Sequence, residues 1–267
     1  SDSALDEEEA TAAQQRCQGA KAVNLPMVVG PVAVIYNLEG VDDLKLSPAT
    51  VAKIFNGGIT KWNDPAIAAE NSGAQLPDTD IKPVYRADES GTTDNFTEYL
   101  KATAPDDWPH EPAKKWAAKA GQGANKSDGV TAQVKNGAGT ISYVEMSFAE
   151  NNKLQTALIK NGAGEYTKLS ADTASKAVAG AKVVGTGNDV ALEIDYATKT
   201  PGAYPIVLVT YEIACEKGLP AEQAKFVKSF LTYTSSAEGQ KALTGIGYAP
   251  LPQEVLTKVQ ASVKALA

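Results

Sequence analysis

The chain has 267 residues, enough to bury a large core in one or two lobes. Its 43% hydrophobic and 21% charged residues are typical of a folded globular protein, and no apolar run approaches the length that spans a bilayer. The net charge of −7 argues against nucleic acid as a partner, because binding to a phosphate backbone requires a basic surface.

Cysteine and histidine are scarce, with only Cys17, Cys215 and His110 present. A closed zinc site needs four nitrogen or sulfur ligands, so we predict no metal and no cofactor. The two cysteines suit one disulfide in an oxidising compartment or two buried thiols, and the sequence leaves both open.

The first elements in chain order are a helix and a long apolar run. Residues 6–17 begin with acidic side chains that complement a helix dipole, which predicts a helix. Residues 25–37 predict strand structure, interrupted at Gly30-Pro31 by a bend where one lobe passes to another.

The middle of the chain carries clear helix signals. Ser47 as a cap, Pro48 in the first turn and Gly57 as a stop predict a helix between them. Further helices are predicted at 90–100, 114–120 and 128–135, and strands at 81–85 and 140–146.

The end of the chain predicts a strand at 204–215 followed by three amphipathic helices. Their apolar faces include Val227, Phe230 and Leu231, which recur at helical spacing. Strands that alternate with helices predict an α/β protein with a substantially parallel sheet.

The most informative segment is residues 85–96, in which a strand ends, Arg86 follows and a Ser-Gly-Thr-Thr turn opens a helix. Free backbone N–H groups at a helix start favour an anion, and the arginine fork suits an oxyanion. The residues alone leave open a plainer interpretation, namely a helix cap preceded by a surface arginine.

The whole chain resembles the PstS family of periplasmic phosphate-binding proteins. Residues 86–96 match the family's phosphate-site signature, Arg-x-Asp-x-Ser-Gly-Thr-Thr-x-x-Phe. Residues 44–67 resemble its helix and K-W-x-D-P-A-I loop, and residues 123–145 its G-x-x-G-V and G-x-I-G-Y-V-E segments. Residues 201–211 resemble its returning Y-P-I strand, and residues 1–5 its G-S-D turn.

The resemblance implies a type II periplasmic-binding fold, with two lobes joined by hinge strands and a ligand cleft between them. It implies that residues 1–32 and 205–267 together form the first lobe and that residues 33–204 form the second. The hinge strands between the lobes are expected at 29–34 and 203–207. The residues implied to contact phosphate are Asp2, Arg86, Ser90, Gly91 and Thr92, with Ser1, Asp88 and Thr93 in supporting positions.

Asp2 has a chemical reason to be in this set. An ionised carboxylate only accepts hydrogen bonds, so it favours an anion that still carries a proton, as phosphate does near neutral pH and sulfate does not. An unmatched buried polar group can discriminate strongly between ligands.

The function implied is that of an extracytoplasmic receptor, which captures inorganic phosphate and delivers it to an ABC permease without catalysis. The expected location is the periplasm or the outer face of the membrane, through a tether outside this sequence, and the expected state is a monomer. Family members begin with a strand and two loops before the G-S-D turn, so this chain is expected to lack that segment.

Three rival functions are weighed against this one. A receptor for sulfate, molybdate or tungstate would dispense with an acidic contact such as Asp2. A hydrolase using Ser90 lacks a Gly-x-Ser-x-Gly setting, and the sole histidine is distant in sequence. A surface protein that retains a phosphate site stays open.

Overall fold

A computed structural model describes residues 1–267. The helices are α1 (Glu7–Arg16), α2 (Pro48–Asn56), α3 (Pro65–Glu70), α4 (Gly91–Thr103), α5 (Lys126–Asn136), α6 (Met146–Asn151), α7 (Ala171–Val178), α8 (Ala221–Thr234), α9 (Ala237–Leu243) and α10 (Gln253–Ala265), with a short 3-10 helix at Thr244–Ile246. The strands are β1 (Ala22–Tyr36), β2 (Lys45–Leu46), β3 (Lys82–Arg86), β4 (Gln122–Ala124), β5 (Thr140–Glu145), β6 (Gln155–Thr156), β7 (Leu158–Lys160), β8 (Tyr166–Thr167), β9 (Lys182–Val183), β10 (Leu192–Glu193) and β11 (Val207–Cys215).

The main sheet is mixed rather than substantially parallel, so that prediction was wrong. Its strand order is β11-β1-β5-β3-β4, and β6 also pairs with β1. The β3 strand runs parallel to β4 and β5, but β1 runs antiparallel to β11, β5 and β6. The cause is that one long strand crosses from one half of the protein to the other and meets returning strands in both halves.

The β1 strand is continuous, so the predicted interruption at Gly30-Pro31 was also wrong. Residues 22–31 pair with β11, and residues 32–36 pair with β5. Proline lacks an N–H but does not have to bend the chain, and Pro31 lies where pairing passes from one partner to the next. The change of partner, rather than a bend, marks the passage between halves.

A second connection crosses beside this point. The Val32 N–H donates to Ile206 O at 2.9 Å, and the Tyr204 hydroxyl donates to Val32 O at 2.8 Å. Both predicted hinge segments therefore lie side by side, where few backbone torsions can change the angle between the halves.

Two large hydrophobic clusters fill the halves. One has 29 buried residues and centres on α2, α4 and the second part of β1, with Trp62 and Trp108 fully buried. The other has 22 and centres on the first part of β1, β11 and α10. Residues of α7 and β10 pack in this second cluster, although the sequence suggested that residues 33–204 form the other lobe.

Most locally signalled helices are confirmed. Ser47 caps α2 through a hydrogen bond from Thr50 N–H, and Gly57 ends it with a φ of 81°. The predicted helix at 114–120 is wrong, because that stretch is irregular and packs Trp116 against other aromatic rings. Phe230 is wrongly assigned to an inward face, since it is 47% exposed.

No helix combines the length and apolar character needed to cross a membrane.

A disulfide joins Cys17 to Cys215, which resolves the choice left open by the sequence. It connects the C-terminal end of α1 to the end of β11 across 198 residues. Closing so long a loop removes much entropy from the unfolded chain.

We expect the double variant Cys17→Ser, Cys215→Ser to lose about 2–5 kcal/mol of unfolding free energy, measured by denaturant titration. The unmodified chain under reducing conditions serves as the control and should approach the variant. A variant as stable as the oxidised chain would contradict this prediction.

Candidate functional site

The start of α4 forms the centre of the predicted site. Ser90 caps the helix, and its Oγ accepts a hydrogen bond from Thr92 N–H at 3.1 Å. The N–H groups of Gly91 and Thr93 donate to no acceptor within the chain. The Thr92 hydroxyl is also unpaired, although the residue is only 1% exposed. This helix start therefore keeps backbone and hydroxyl donors available for an anion.

Arg86 lies at the end of β3, directly before this turn. Its Nε and one terminal nitrogen donate to the two oxygens of Asp88 at 2.8 and 2.6 Å, and the other terminal nitrogen donates to Ser127 Oγ at 3.2 Å. A guanidinium has five N–H groups, so two of them remain for a ligand. These hydrogen bonds from Arg86 hold the pKa of Asp88 far below its usual range. The prediction that Asp88 holds the arginine in place agrees with this geometry.

Thr93 is connected to Arg86 through the hydroxyl of Tyr143. Its hydroxyl lies 2.8 Å from the Tyr143 hydroxyl, which also accepts a hydrogen bond from the Arg86 N–H at 3.3 Å. Burial raises the pKa of Tyr143 to about 12, so the phenol stays protonated at neutral pH. Tyr143 thus ties the end of β3 to the start of α4.

Asp2 lies against the same helix start, although it is far away in sequence. A Cβ placed on Gly91 would lie 2.6 Å from Asp2 Cβ, which leaves room for glycine alone. Asn95 Nδ2 donates to Asp2 O at 2.8 Å, and Thr210 Oγ1 donates to Asp2 Oδ1 at 3.2 Å. The other carboxylate oxygen of Asp2 has no partner within the chain, so it is available as an acceptor.

Ser1 holds Asp2 in this place through the neighbouring strand. Its amino group donates to Tyr211 O at 2.9 Å, and the Tyr211 N–H donates back to Ser1 O at 2.7 Å. Ser1 therefore pairs with Tyr211 of β11 through its main-chain nitrogen and oxygen, and its supporting role at the site stays a prediction.

Glu145 is a further carboxylate near the site. Its pKa is raised above the ordinary value, mainly by burial and further by the charge of Asp2. A hydrogen bond from the Tyr248 hydroxyl at 2.9 Å and the charge of Arg86 act in the opposite direction. Glu145 is therefore a half-buried acidic group at the end of β5 that is held by Tyr248.

A cavity of about 780 Å³ adjoins the site on one side of α4. Its walls include Ser3, Asp94, Asn95, Tyr196 and Tyr211, and none of the residues predicted to contact phosphate. The helix start and the cavity are thus neighbours, because the cavity is lined by Ser3, which follows Asp2, and by Asp94 and Asn95, which follow Thr93.

The structure brings together all the predicted residues, namely Ser1, Asp2, Arg86, Asp88, Ser90, Gly91, Thr92 and Thr93. Sequence reasoning missed Asn95, Ser127, Glu145 and Thr210. Ser127 and Glu145 lie in the segment 123–145 that carried the resemblance, which was the one available signal. Asn95 and Thr210 also lie in segments that carried the resemblance, 86–96 and 201–211, but at positions that are not motif residues.

Comparisons with known proteins identify relatives of this chain. A family model described as a PBP superfamily domain matches residues 1–238. The phosphate-binding protein PstS 3 of Mycobacterium tuberculosis is 45% identical over 270 residues, which cover 100% of this chain and 72% of that protein. PstS 2 of the same species is 41% identical over 94% of this chain and 68% of its own length. The phosphate-binding protein PstS of Pasteurella multocida is 34% identical over 91% of this chain and 70% of its own length.

Solved structures show the fold. A high-affinity periplasmic phosphate-binding protein bound with phosphate superposes with a TM-score of 0.80 at 24% identity, over 98% of this chain and 77% of that one. A phosphate-binding protein from Stenotrophomonas maltophilia gives a TM-score of 0.75 at 19% identity, over 98% and 78% of the two chains. The chain belongs to the PstS family of phosphate-binding proteins in the PBP superfamily, and it has the two-lobed type II periplasmic-binding fold.

Proposed function

We propose that this protein is an extracytoplasmic receptor that captures inorganic phosphate between its lobes and delivers it to an ABC-type importer. The relatives are named as phosphate-binding proteins, and the protein acts by binding rather than as an enzyme. The observation that carries the proposal is that Asp2, with one unpaired carboxylate oxygen, lies against a helix start with free donors, next to an arginine with two free N–H groups.

Each group has a role toward phosphate. Arg86 and the donors of Ser90, Gly91 and Thr92 bind the ionised oxygens, while Asp2 accepts a hydrogen bond from the oxygen that is still protonated. Local donors outweigh the net charge of −7, because distant charges are screened over about 8–10 Å.

We further propose that residues 1–32 and 205–267 form the first lobe together with the part of 33–204 that carries α7 and β10, and that the rest of 33–204 forms the second. The packing of α7 and β10 in the cluster around β11 supports assigning that part of the segment to the first lobe. Closure at 29–34 and 203–207 would bring Asp2 and Arg86 onto one ligand, which shifts the population toward the closed form.

The location is proposed to be the periplasm or the outer face of the cell membrane, where the closed receptor docks on its permease as a monomer. The Cys17–Cys215 disulfide supports this, because such bonds persist in oxidising compartments.

The deciding experiment is a calorimetric titration with phosphate at neutral pH, repeated in the presence of sulfate. We expect tight binding that a ~100-fold excess of sulfate does not displace, since a ligand lacking the matched proton is rejected strongly. Displacement by sulfate at comparable concentration would favour a receptor for another oxyanion, and no binding of phosphate would refute the proposal.

Gly91→Ala is expected to weaken phosphate binding by about 10-fold or more, because small misplacements at a site are costly. The new Cβ would lie 2.6 Å from Asp2 Cβ and 3.0 Å from its carbonyl carbon, so Asp2 must move away from the helix start. Phosphate titration of the purified variant measures this.

The matched control is Gly129→Ala in α5, where the nearest atoms to the new Cβ lie 3.8 Å away. It should keep its phosphate affinity and gain up to about 1 kcal/mol of stability from better helix propensity. If both variants bind phosphate equally well, Asp2 does not have to lie against Gly91 for binding.

A further inference from the structure

Asn95 is a buried amide whose nitrogen and oxygen are both hydrogen-bonded within the chain. It is 5% exposed, and its Nδ2 donates to Asp2 O at 2.8 Å and to Gly91 O at 2.7 Å. Its Oδ1 accepts from the Tyr196 hydroxyl at 2.8 Å. Two carbonyl oxygens face the nitrogen, so the orientation of the amide is fixed by its partners.

The hydrogen bond from Asn95 to Asp2 connects two different parts of the fold. Asp2 is carried by β11, because Ser1 pairs with the Tyr211 backbone and Thr210 donates to the Asp2 carboxylate. Asn95 belongs to α4, which packs in the other hydrophobic cluster. The bond therefore crosses between the proposed lobes, one helical turn behind the predicted ligand donors.

Tyr196 fixes the amide from the far side. It is 5% exposed, and burial raises its pKa well above the usual value, so its hydroxyl remains a hydrogen-bond donor. The same hydroxyl lies 2.9 Å from Glu98 Oε2, which competes for its single hydrogen. Tyr196 thus shares its hydrogen between the Asn95 oxygen and Glu98, while both amide hydrogens of Asn95 stay directed at Asp2 and Gly91.

We propose that Asn95, held by Tyr196, is an interlobe latch that positions Asp2 over the start of α4. The latch sets both the residence time of phosphate and the rejection of sulfate, since both depend on where the Asp2 carboxylate lies. Neither residue touches the ligand, so both are positioning residues. This inference rests on the proposed phosphate function.

The test compares three variants: Asn95→Ala, Tyr196→Phe and Asn71→Ala. Asn71 is the matched control, because it is 8% exposed and its Nδ2 also donates to two backbone carbonyls, those of Lys45 at 2.8 Å and Ile67 at 2.9 Å. Asn71→Ala should lower the free energy of unfolding without changing the phosphate site. Phosphate affinity, sulfate affinity and the phosphate dissociation rate are measured on each.

Asn95→Ala is expected to bind phosphate about 10-fold more weakly, to release it faster, and to lower the phosphate-to-sulfate affinity ratio by about 10-fold. Tyr196→Phe removes one oxygen atom and should show a smaller change in the same direction. Asn71→Ala should leave the ratio and the dissociation rate unchanged.

A double-variant cycle separates positioning from general destabilisation. In a chain that already carries Asp2→Asn, adding Asn95→Ala should change the ratio little, because the discriminating carboxylate is gone. An unchanged ratio and dissociation rate in both Asn95→Ala and Tyr196→Phe would overturn the latch. If Asn95→Ala fails to fold, Tyr196→Phe decides. Failure of the unmodified chain to bind phosphate would instead refute the proposed function.

Discussion

Arg86→Ala is expected to weaken phosphate binding by at least about 30-fold, because the loss of one partner from a buried, hydrogen-bonded charge contact costs about 2–5 kcal/mol. The side chain of Arg86 is 11% exposed and offers two free N–H groups to the anion. Its removal also leaves the Asp88 carboxylate without its cation near an anionic ligand. Calorimetric titration with phosphate at neutral pH measures the loss.

Arg86→Lys distinguishes charge from geometry. Lysine keeps the positive charge but lacks the planar fork that binds Asp88 in a bidentate manner, so an intermediate loss is expected. The matched control is Arg16→Ala, since Arg16 is the other arginine of the chain and is exposed at the end of α1. If Arg86→Ala bound phosphate within about threefold of the unmodified chain, the anion would have to lie elsewhere.

Asp2→Asn is expected to lower the preference for phosphate over sulfate by about 100-fold, because mismatched buried polar groups can discriminate by that factor or more. The free carboxylate oxygen accepts a hydrogen bond from the protonated oxygen of phosphate but repels sulfate, which has no proton to donate in a hydrogen bond. An amide removes that repulsion and can donate an N–H group instead. Phosphate affinity should fall while sulfate affinity rises.

The measurement is a pair of titrations, with phosphate and with sulfate, under identical conditions. Asp172→Asn is the control for the change in net charge, because that carboxylate is 76% exposed and pairs only with Lys176. It should leave both affinities unchanged. Equal shifts of the phosphate and sulfate affinities in Asp2→Asn would show that Asp2 does not discriminate between a protonated and an unprotonated anion.

The sequence by itself determined the local elements and the chemistry of the helix start. Ser47, Gly57 and Ser90 act through contacts within a few residues of themselves, so their capping roles follow from spacing alone. Arg86 and Asp88 also form a pair two residues apart, which the motif predicted. The family resemblance supplied Asp2, which no local pattern would have connected to Gly91.

Only the tertiary structure decided what lies across the fold. The partner change of β1 at Pro31, the exposure of Phe230 and the irregular stretch at 114–120 depend on neighbours distant in sequence, which override local propensity. The Cys17–Cys215 bond depends on them equally. The contact of Asn95 with Asp2 joins residues 93 positions apart, and such a pairing leaves no periodic trace in either segment. Side chains at helical or strand spacing report their own backbone, whereas the pairing of two segments is set by how their surfaces pack.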